Sequence, residues 1–161
     1  MTEERFVQLV KEDQEVLRRF LLALCGGRRE EAEDLAQEVL IKAWLSSSEY
    51  VERYRFSTYL CKVAYHTYVD HLRRTAHQPL PLNDSLPLPS SDTADAAFRY
   101  ERLHWAVDQL PLKERTAVLL FYIEEQSIKE IAIATGSNVF AVKQQLKRGR
   151  DHLRKLLNDE R

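Results

Sequence analysis

The chain has 161 residues, with 24 Lys plus Arg against 25 Asp plus Glu, 44% apolar side chains, four Gly, five Pro and two Cys. This balance excludes wholesale disorder and fibrous repeats, and the length suits one ordinary domain or two small ones. The longest apolar runs, such as 117–123, fall far short of the roughly 20 residues a membrane span requires, and Met-Thr-Glu-Glu-Arg begins no apolar signal core. A cytoplasmic protein without membrane insertion is therefore expected. Cys25 and Cys61 are too few and too isolated for a zinc site or a disulfide framework, so both are expected to be free, packed thiols. Neither metal nor cofactor is implied.

Near-neutrality hides an uneven distribution. Residues 1–74 hold 12 basic and 13 acidic side chains, residues 75–97 hold three acids and no base, and residues 98–161 hold 12 and nine. Four of the five prolines (Pro79, Pro81, Pro87 and Pro89) fall in the middle segment, where no helix or core strand survives. The expected organisation is two small helical domains, 1–74 and 98–161, joined by an extended acidic linker over 75–97. The fold class is all-α, because glycine is scarce and no run alternates at period two.

Taken in chain order, Phe6, Leu9, Val10, Val16, Leu17, Phe20, Leu21 and Leu24 predict a first helix over 5–24 that stops at Gly26 and Gly27. A second is predicted over 30–46. Ala32, Leu35, Ala36, Val39, Leu40, Ala43 and Trp44 form its core face, and Asp34, Gln37, Glu38, Ile41 and Leu45 lie opposite. Two large aliphatics among carboxylates, turned from the core, read either as a docking surface or as a contact with another helix of the same domain.

Between Tyr50 and Arg74, six aromatics (Tyr50, Tyr54, Phe56, Tyr59, Tyr65 and Tyr68) are interleaved with Arg53, Arg55, Lys62, Arg73 and Arg74. Aromatic platforms beside cations suit single-stranded nucleic acid, although aromatics at helical spacing are more often core. With a helix beginning near Ser57, Phe56, Tyr59, Leu60, Val63, Ala64 and Thr67 share a core stripe. Lys62, His66 and Arg73 share a polar one.

Ser127 and Glu130 have the spacing of a capping box, Gly136 ends a short helix over 128–135, and another begins near Ser137 or Asn138. This is helix-turn-helix spacing. Val139, Val142, Leu146, Gly149, Leu153 and Leu156 form the inner face of the second helix. Six bases stand between Lys143 and Lys155 against the single acid Asp151, as expected of a helix lying on phosphates. A helix-turn-helix places the start of its second helix in the major groove, so Asn138, Phe140, Ala141, Gln144, Gln145 and Arg148 are candidates for base edges. Either glutamine can pair with adenine, Arg148 with guanine, and Phe140 or Ala141 can touch a thymine methyl. Lys143, Lys147, Arg150 and Arg154 suit phosphates.

An enzyme is not expected, since the five histidines show no paired metal-ligand spacing and neither a phosphate-cradling loop nor a nucleophile motif appears. A one-component regulator, binding operator DNA as a dimer through its helix-turn-helix, accounts for the C-terminal half but leaves the Asp34 and Ile41 face without a role.

The run from Glu31 to Trp44 (Glu-Ala-Glu-Asp-Leu-Ala-Gln-Glu-Val-Leu-Ile-Lys-Ala-Trp) is joined by Phe56 to Ala64, Asp70 to Arg74, Leu110 to Arg115, Ser127 to Ala132, and the pair Val142 and Lys143. In order and spacing these closely resemble the bacterial RNA polymerase sigma factors of the extracytoplasmic function (ECF) type, in the sigma-70 family. The resemblance covers nearly the whole chain. It implies a region 2 domain that binds core RNA polymerase and melts and reads the minus ten element, and a region 4 domain that reads the minus 35 element. It implies core polymerase, promoter DNA and an anti-sigma protein as partners. Core polymerase would meet Asp34, Gln37, Glu38, Ile41 and Leu45. Minus ten DNA would meet Tyr50, Arg53, Tyr54, Arg55, Lys62, His66, Arg73 and Arg74. The chain departs from the family's usual pattern at His66, where Asn is common, at Phe140 and Ala141, where Gly-Thr is common, and at Gly149, where Ala is usual.

Overall fold

The computed structural model describes residues 1–50, 52–76 and 96–158, with backbone alone for 96–100. Most of the expected linker lies outside the described residues. Among them the chain is helical: α1 Glu3–Leu24, α2 Arg29–Leu45, α3 Phe56–Thr75, α4 Ala96–Asp108, α5 Leu112–Val118 with a π turn at Leu119–Ile123, α6 Ile128–Thr135 and α7 Val139–Asn158.

Local chemistry sets the ends of these helices. The Thr2 hydroxyl accepts from the Arg5 N–H at 3.1 Å, and Glu3 and Glu4 stand in the first turn of α1, where its dipole favours anions. Gly26 and Gly27 terminate it at φ 61° and 86°, a left-handed turn closed by the Gly27 N–H on the Leu22 carbonyl at 2.9 Å. The predicted capping box forms at α6: the Ser127 hydroxyl accepts from the Glu130 N–H at 3.1 Å, and the Glu130 carboxylate accepts from the Ser127 N–H at 2.9 Å. Gly136, at φ 66°, then turns the chain toward α7.

Helices α1, α2 and α3 enclose a core of Phe6, Leu9, Leu17, Phe20, Leu21 and Leu24 from α1, small Ala32, Ala36 and Ala43 with Leu35 and Val39 from α2, and Phe56, Tyr59, Leu60 and Ala64 from α3. Rings close its far end, Phe6 lying 5.2 Å from Trp44 and 5.9 Å from Phe56, while the Tyr59 hydroxyl donates to the Ala43 carbonyl at 3.0 Å. Trp44 is 38% exposed, so it is a rim residue stacked on Phe6 and not the core residue its phase predicts. Cys25 and Cys61 are free and buried, as expected, and burial raises both thiols, Cys25 to about 12.

The second unit packs α5 and α6 against α7 through Ala117, Val118, Leu120, Ile131, Ala134, Val142 and Leu146. From α4, Arg102 donates to the Leu157 carbonyl at the end of α7 at 2.7 Å. Gly149 has a packing role that propensity alone does not suggest. A methyl group there would stand 2.9 Å from Cγ2 of Val118, so the absence of a side chain sets the approach of α5 to α7.

Packing around α3 departs furthest from its sequence pattern. Beyond the predicted stripe, Ser57, Thr58, Cys61, Tyr65 and Tyr68 are also buried: α6 packs on α3 in addition to α1 and α2, Thr58 meets Gln126 and Glu130, and Tyr68 lies beside Arg115. Tyr65 and Tyr68 are thus unavailable as stacking platforms. The two units share one continuous apolar cluster, and polar groups fasten its edge. Arg55 makes a two-pronged pair with Glu130 at 2.8 Å on each oxygen, and Arg19 pairs with Glu124 at 2.8 Å.

The hydrogen bonds from Arg55 hold the Glu130 carboxyl down at about 2, against the opposing effect of its burial, with the Ser127 N–H and the Thr58 hydroxyl assisting. A folded-state value below the ordinary 4.5 means that this carboxylate stabilises the fold above 4.5 and ceases to do so as the pH falls toward about 2. The stability advantage of the parent chain over Glu130→Gln, measured by urea midpoints, is expected to shrink across that interval. An advantage independent of pH between neutrality and pH 3 would contradict this account of the carboxylate.

Candidate nucleic-acid interface and docking stripe

On α2, Asp34 and Gln37 are exposed, Ile41 is 63% exposed and Leu45 is 77% exposed, on a helix whose opposite face is buried. The reading in which Ile41 and Leu45 touch another helix of the same domain does not hold. Covering each such side chain with a partner yields about 1.5–3 kcal/mol of apolar transfer. Glu38 is half-buried and held, with Lys42 Nζ at 3.0 Å and Arg74 Nη2 at 3.5 Å. Burial raises its carboxyl, but the two cations together bring it below the ordinary value. The stripe is thus anchored from α3 as well as from its own helix.

Beside it, between the end of α2 and α3, lies a cleft of about 210 Å³ lined by Lys42, Ser46, Glu49, Tyr59, Lys62, Val63, His66, Thr67 and Asp70. Lys62 and His66 reach it from the predicted polar stripe. Lys42, Ser46, Glu49 and Asp70 escaped the sequence reading, and Thr67 was read only as core, since a cleft between two helices has no signature in the periodicity of either one. The Nδ1 of His66 lies 2.7 Å from the Lys62 carbonyl. A carbonyl can only accept, so Nδ1 carries the proton, and in the neutral ring Nε2 is left as an acceptor. Arg73 is exposed further along the same face, 3.8 Å from Asp70.

The loop before α3 divides in two. Arg53 is exposed, whereas Tyr50 is packed edge-on against Tyr54 and Phe56 and donates through its hydroxyl to the Tyr54 carbonyl at 2.9 Å. Burial raises the phenols of both Tyr50 and Tyr54. Arg55, a candidate cation of the same surface, is taken up by Glu130.

At α7, Phe140 is 71% exposed, and Lys143, Gln144, Lys147 and Arg148 are exposed beside it. Ala141, Gln145 and Arg150 are half-buried, and Arg150 donates to the Tyr122 hydroxyl at 3.3 Å. Asn138 caps the helix: its Oδ1 accepts from the Ala141 N–H at 2.8 Å, and its amide N–H groups remain for a base edge. Val142, Leu146 and Gly149 are buried on the opposite side, as predicted, so the basic residues are presented away from the core.

Residues 9–78 match the family description sigma-70 region 2, and residues 100–153 match sigma-70, region 4. The chain is 28% identical to the ECF RNA polymerase sigma factor SigW of Bacillus subtilis, the match covering 99% of this chain and 98% of the relative. It is 30% identical to the RNA polymerase sigma factor SigV of the same organism, over 82% of this chain and 79% of that one. The fold is similar to that of the sigma factor RpoE from Bartonella quintana, solved in complex with the anti-sigma factor NepR, at TM-score 0.77 and 20% identity over 98% of this chain and 99% of that one. It is also similar to CnrH in complex with the cytosolic domain of CnrY, at TM-score 0.72 and 21% identity, over 99% and 92%. The chain belongs to the sigma-70 family and is an RNA polymerase sigma factor of the ECF type.

Proposed function

We propose that residues 1–74 bind core RNA polymerase and the minus ten element, that residues 98–161 bind the minus 35 element, and that residues 75–97 link them. The observation that carries this reading is the exposure of Ile41 and Leu45 on α2, in a chain that also presents a basic helix-turn-helix. A dimeric one-component regulator would leave that stripe and the region 2 match without a role. The chain acts as an initiation factor and not as an enzyme, and it works in the cytoplasm, where transcription takes place. Among the described residues no helix is long and apolar enough to cross a membrane. A protein of similar fold, the sigma factor RpoE of Bartonella quintana, was solved in complex with the anti-sigma factor NepR, which supports an anti-sigma protein as a partner here.

Docking on polymerase uses Asp34, Gln37 and Glu38 to orient the encounter and Ile41 and Leu45 to hold it. Replacing Ile41 and Leu45 together by Asp should weaken affinity for purified core polymerase at least tenfold, about 1.4 kcal/mol, while helical circular dichroism stays unchanged. Equal affinity in a well-folded double variant would refute the docking assignment.

For the minus ten strand, the cleft has room for an unstacked base, with Lys62, Arg73 and Arg74 along the path of its phosphates and Arg53 on the loop. With Nδ1–H on the Lys62 carbonyl, the neutral form of His66 offers Nε2 as an acceptor for an exocyclic amine, as on adenine or cytosine. His66→Ala should alter base preference in the minus ten strand while core binding stays within twofold. The assignment fails if permanganate footprints and base preference both match the parent.

For the minus 35 element, Arg148→Ala should cost about 1 to 3 kcal/mol at one base pair, whereas Arg154→Ala should weaken all sequences alike and lower the salt slope by about one. A matrix of promoter mutants separates these outcomes. Unaltered minus 35 preference after joint replacement of Gln144, Gln145 and Arg148 would remove α7 from the groove.

A further inference from the structure

Phe140 stands 71% exposed on the first turn of α7, more than any other described aromatic side chain. The backbone beneath it is fixed. Asn138 Oδ1 accepts from the Ala141 N–H at 2.8 Å, and Val142 is fully buried in the core below. Just before the turn, the Thr135 hydroxyl donates to the Ile131 carbonyl and meets the Ser137 hydroxyl, each at 2.8 Å. The ring itself stands outside the apolar cluster that α7 covers, so it contributes nothing to the packing of the second unit.

The surroundings of the ring point to nucleic acid. Its neighbours on the exposed face are Lys143, Gln144, Lys147 and Arg148. At about 100° per residue, Phe140, Gln144 and Lys147 fall within about 60° of one another, so the ring heads a stripe of amide and cation. Such a stripe complements phosphates, whereas the exposed aliphatics of α2 stand among carboxylates.

Within a duplex the choice narrows further. A phenyl ring offers neither donor nor acceptor, and against a purine edge or the cytosine amine it would desolvate polar atoms without replacing their hydrogen bonds. The major groove displays one apolar group, the C5-methyl of thymine. Ala141, the other residue suited to that contact, is half-buried, which favours the ring. Phe140 and Gln144 lie about 6 Å apart along the helix axis, roughly two base-pair steps, so they meet different pairs.

We propose that Phe140 reads the 5-methyl group of a pyrimidine in the minus 35 element, at a pair distinct from those met by Gln144 and Arg148, and that promoter choice by this chain depends on that methyl. 5-Methylcytosine carries the same group at the same place, so cytosine methylation within the element acts through the same contact. The inference rests on the minus 35 reading of α7. Phe140 is also a point at which the chain departs from the usual pattern of its family, so the contact belongs to this chain and not to the family at large.

The test uses the full chain assembled with purified core polymerase. The holoenzyme first selects its preferred minus 35 sequence from duplexes randomised over that element. Each thymine of the selected element is then replaced singly by uracil, which removes the methyl group and leaves every hydrogen-bonding atom in place. Uracil at one position should weaken binding about fourfold, the transfer value of one methyl-sized group. The Phe140→Ala holoenzyme should bind thymine and uracil alike there. Cytosine at that position should gain about fourfold on 5-methylation with the parent, and nothing with Phe140→Ala. The uracil series on the parent needs no substitution and decides the methyl dependence by itself. Equal affinity for thymine and uracil at every position, or a uracil penalty undiminished in Phe140→Ala, overturns the assignment. So does a Phe140→Ala chain that assembles poorly with core polymerase yet keeps the parent's preference for thymine over uracil, a result that places the ring on protein. Enrichment of no sequence in the element refutes the minus 35 reading and the contact with it, whereas enrichment without a uracil penalty refutes the contact alone.

Discussion

Helix α3 is enclosed on two sides, and the positions of the other functional elements follow from that enclosure. Its Phe56, Tyr59, Leu60 and Ala64 complete the core with α1 and α2, while Ser57, Thr58, Cys61, Tyr65 and Tyr68 are covered on other sides. Along α3, His66, Asp70, Leu72, Arg73 and Arg74 are exposed and Lys62 is half-buried, so solvent reaches one strip and the C-terminal turns of the helix. A helix confined in this way has little freedom to rotate or slide, since interiors pack at near-crystalline density and resist small displacements. The cleft beside that strip is therefore pre-formed, with walls already held by the packing of α2 and α3.

Charge works at two scales. Over the whole chain it nearly cancels, yet at each surface one sign is arranged for a task. On α2 the acids accompany exposed aliphatics, and Glu38 is held by Lys42 on its own helix and by Arg74 on α3. On α7 the cations point outward from a buried face of Val142, Leu146 and Gly149. Between the units, carboxylates meet arginines that would otherwise lie open to phosphate. Surface pairs contribute little individually, but Glu124 is enclosed, so its pairing with Arg19 carries more weight in deciding which arrangement is favoured.

Glycine and capping residues give the helix-turn-helix its shape at small energetic cost. Gly136 adopts a left-handed turn, Ser127 with Glu130 closes one helix end, and Asn138 closes the next. Gly149 costs α7 some helix propensity, yet without it Val118 could not approach, so α5 is brought close to α7. Glu130 serves both sides of this arrangement. It caps α6 from within and pairs with Arg55 from without, which ties the start of the helix-turn-helix to the start of α3.

The sequence by itself determined the helices, the capping box, the turn at Gly136, the outward stripe of α2 and the basic face of α7. Each depends on residues within about one to two turns of each other, where periodicity and capping chemistry act directly. The tertiary structure alone decided that Trp44 sits at a rim, that Tyr50, Tyr65 and Tyr68 are packed, that Lys42 and Ser46 share a cleft with His66, and that Arg55 is paired with Glu130. These outcomes join residues from different helices, in the last case 75 positions apart. A helical period reveals which residues share a face. It does not reveal how many neighbours will cover the helix, and α3, lined on several sides by small, hydroxylated and aromatic groups, was able to accept a second one.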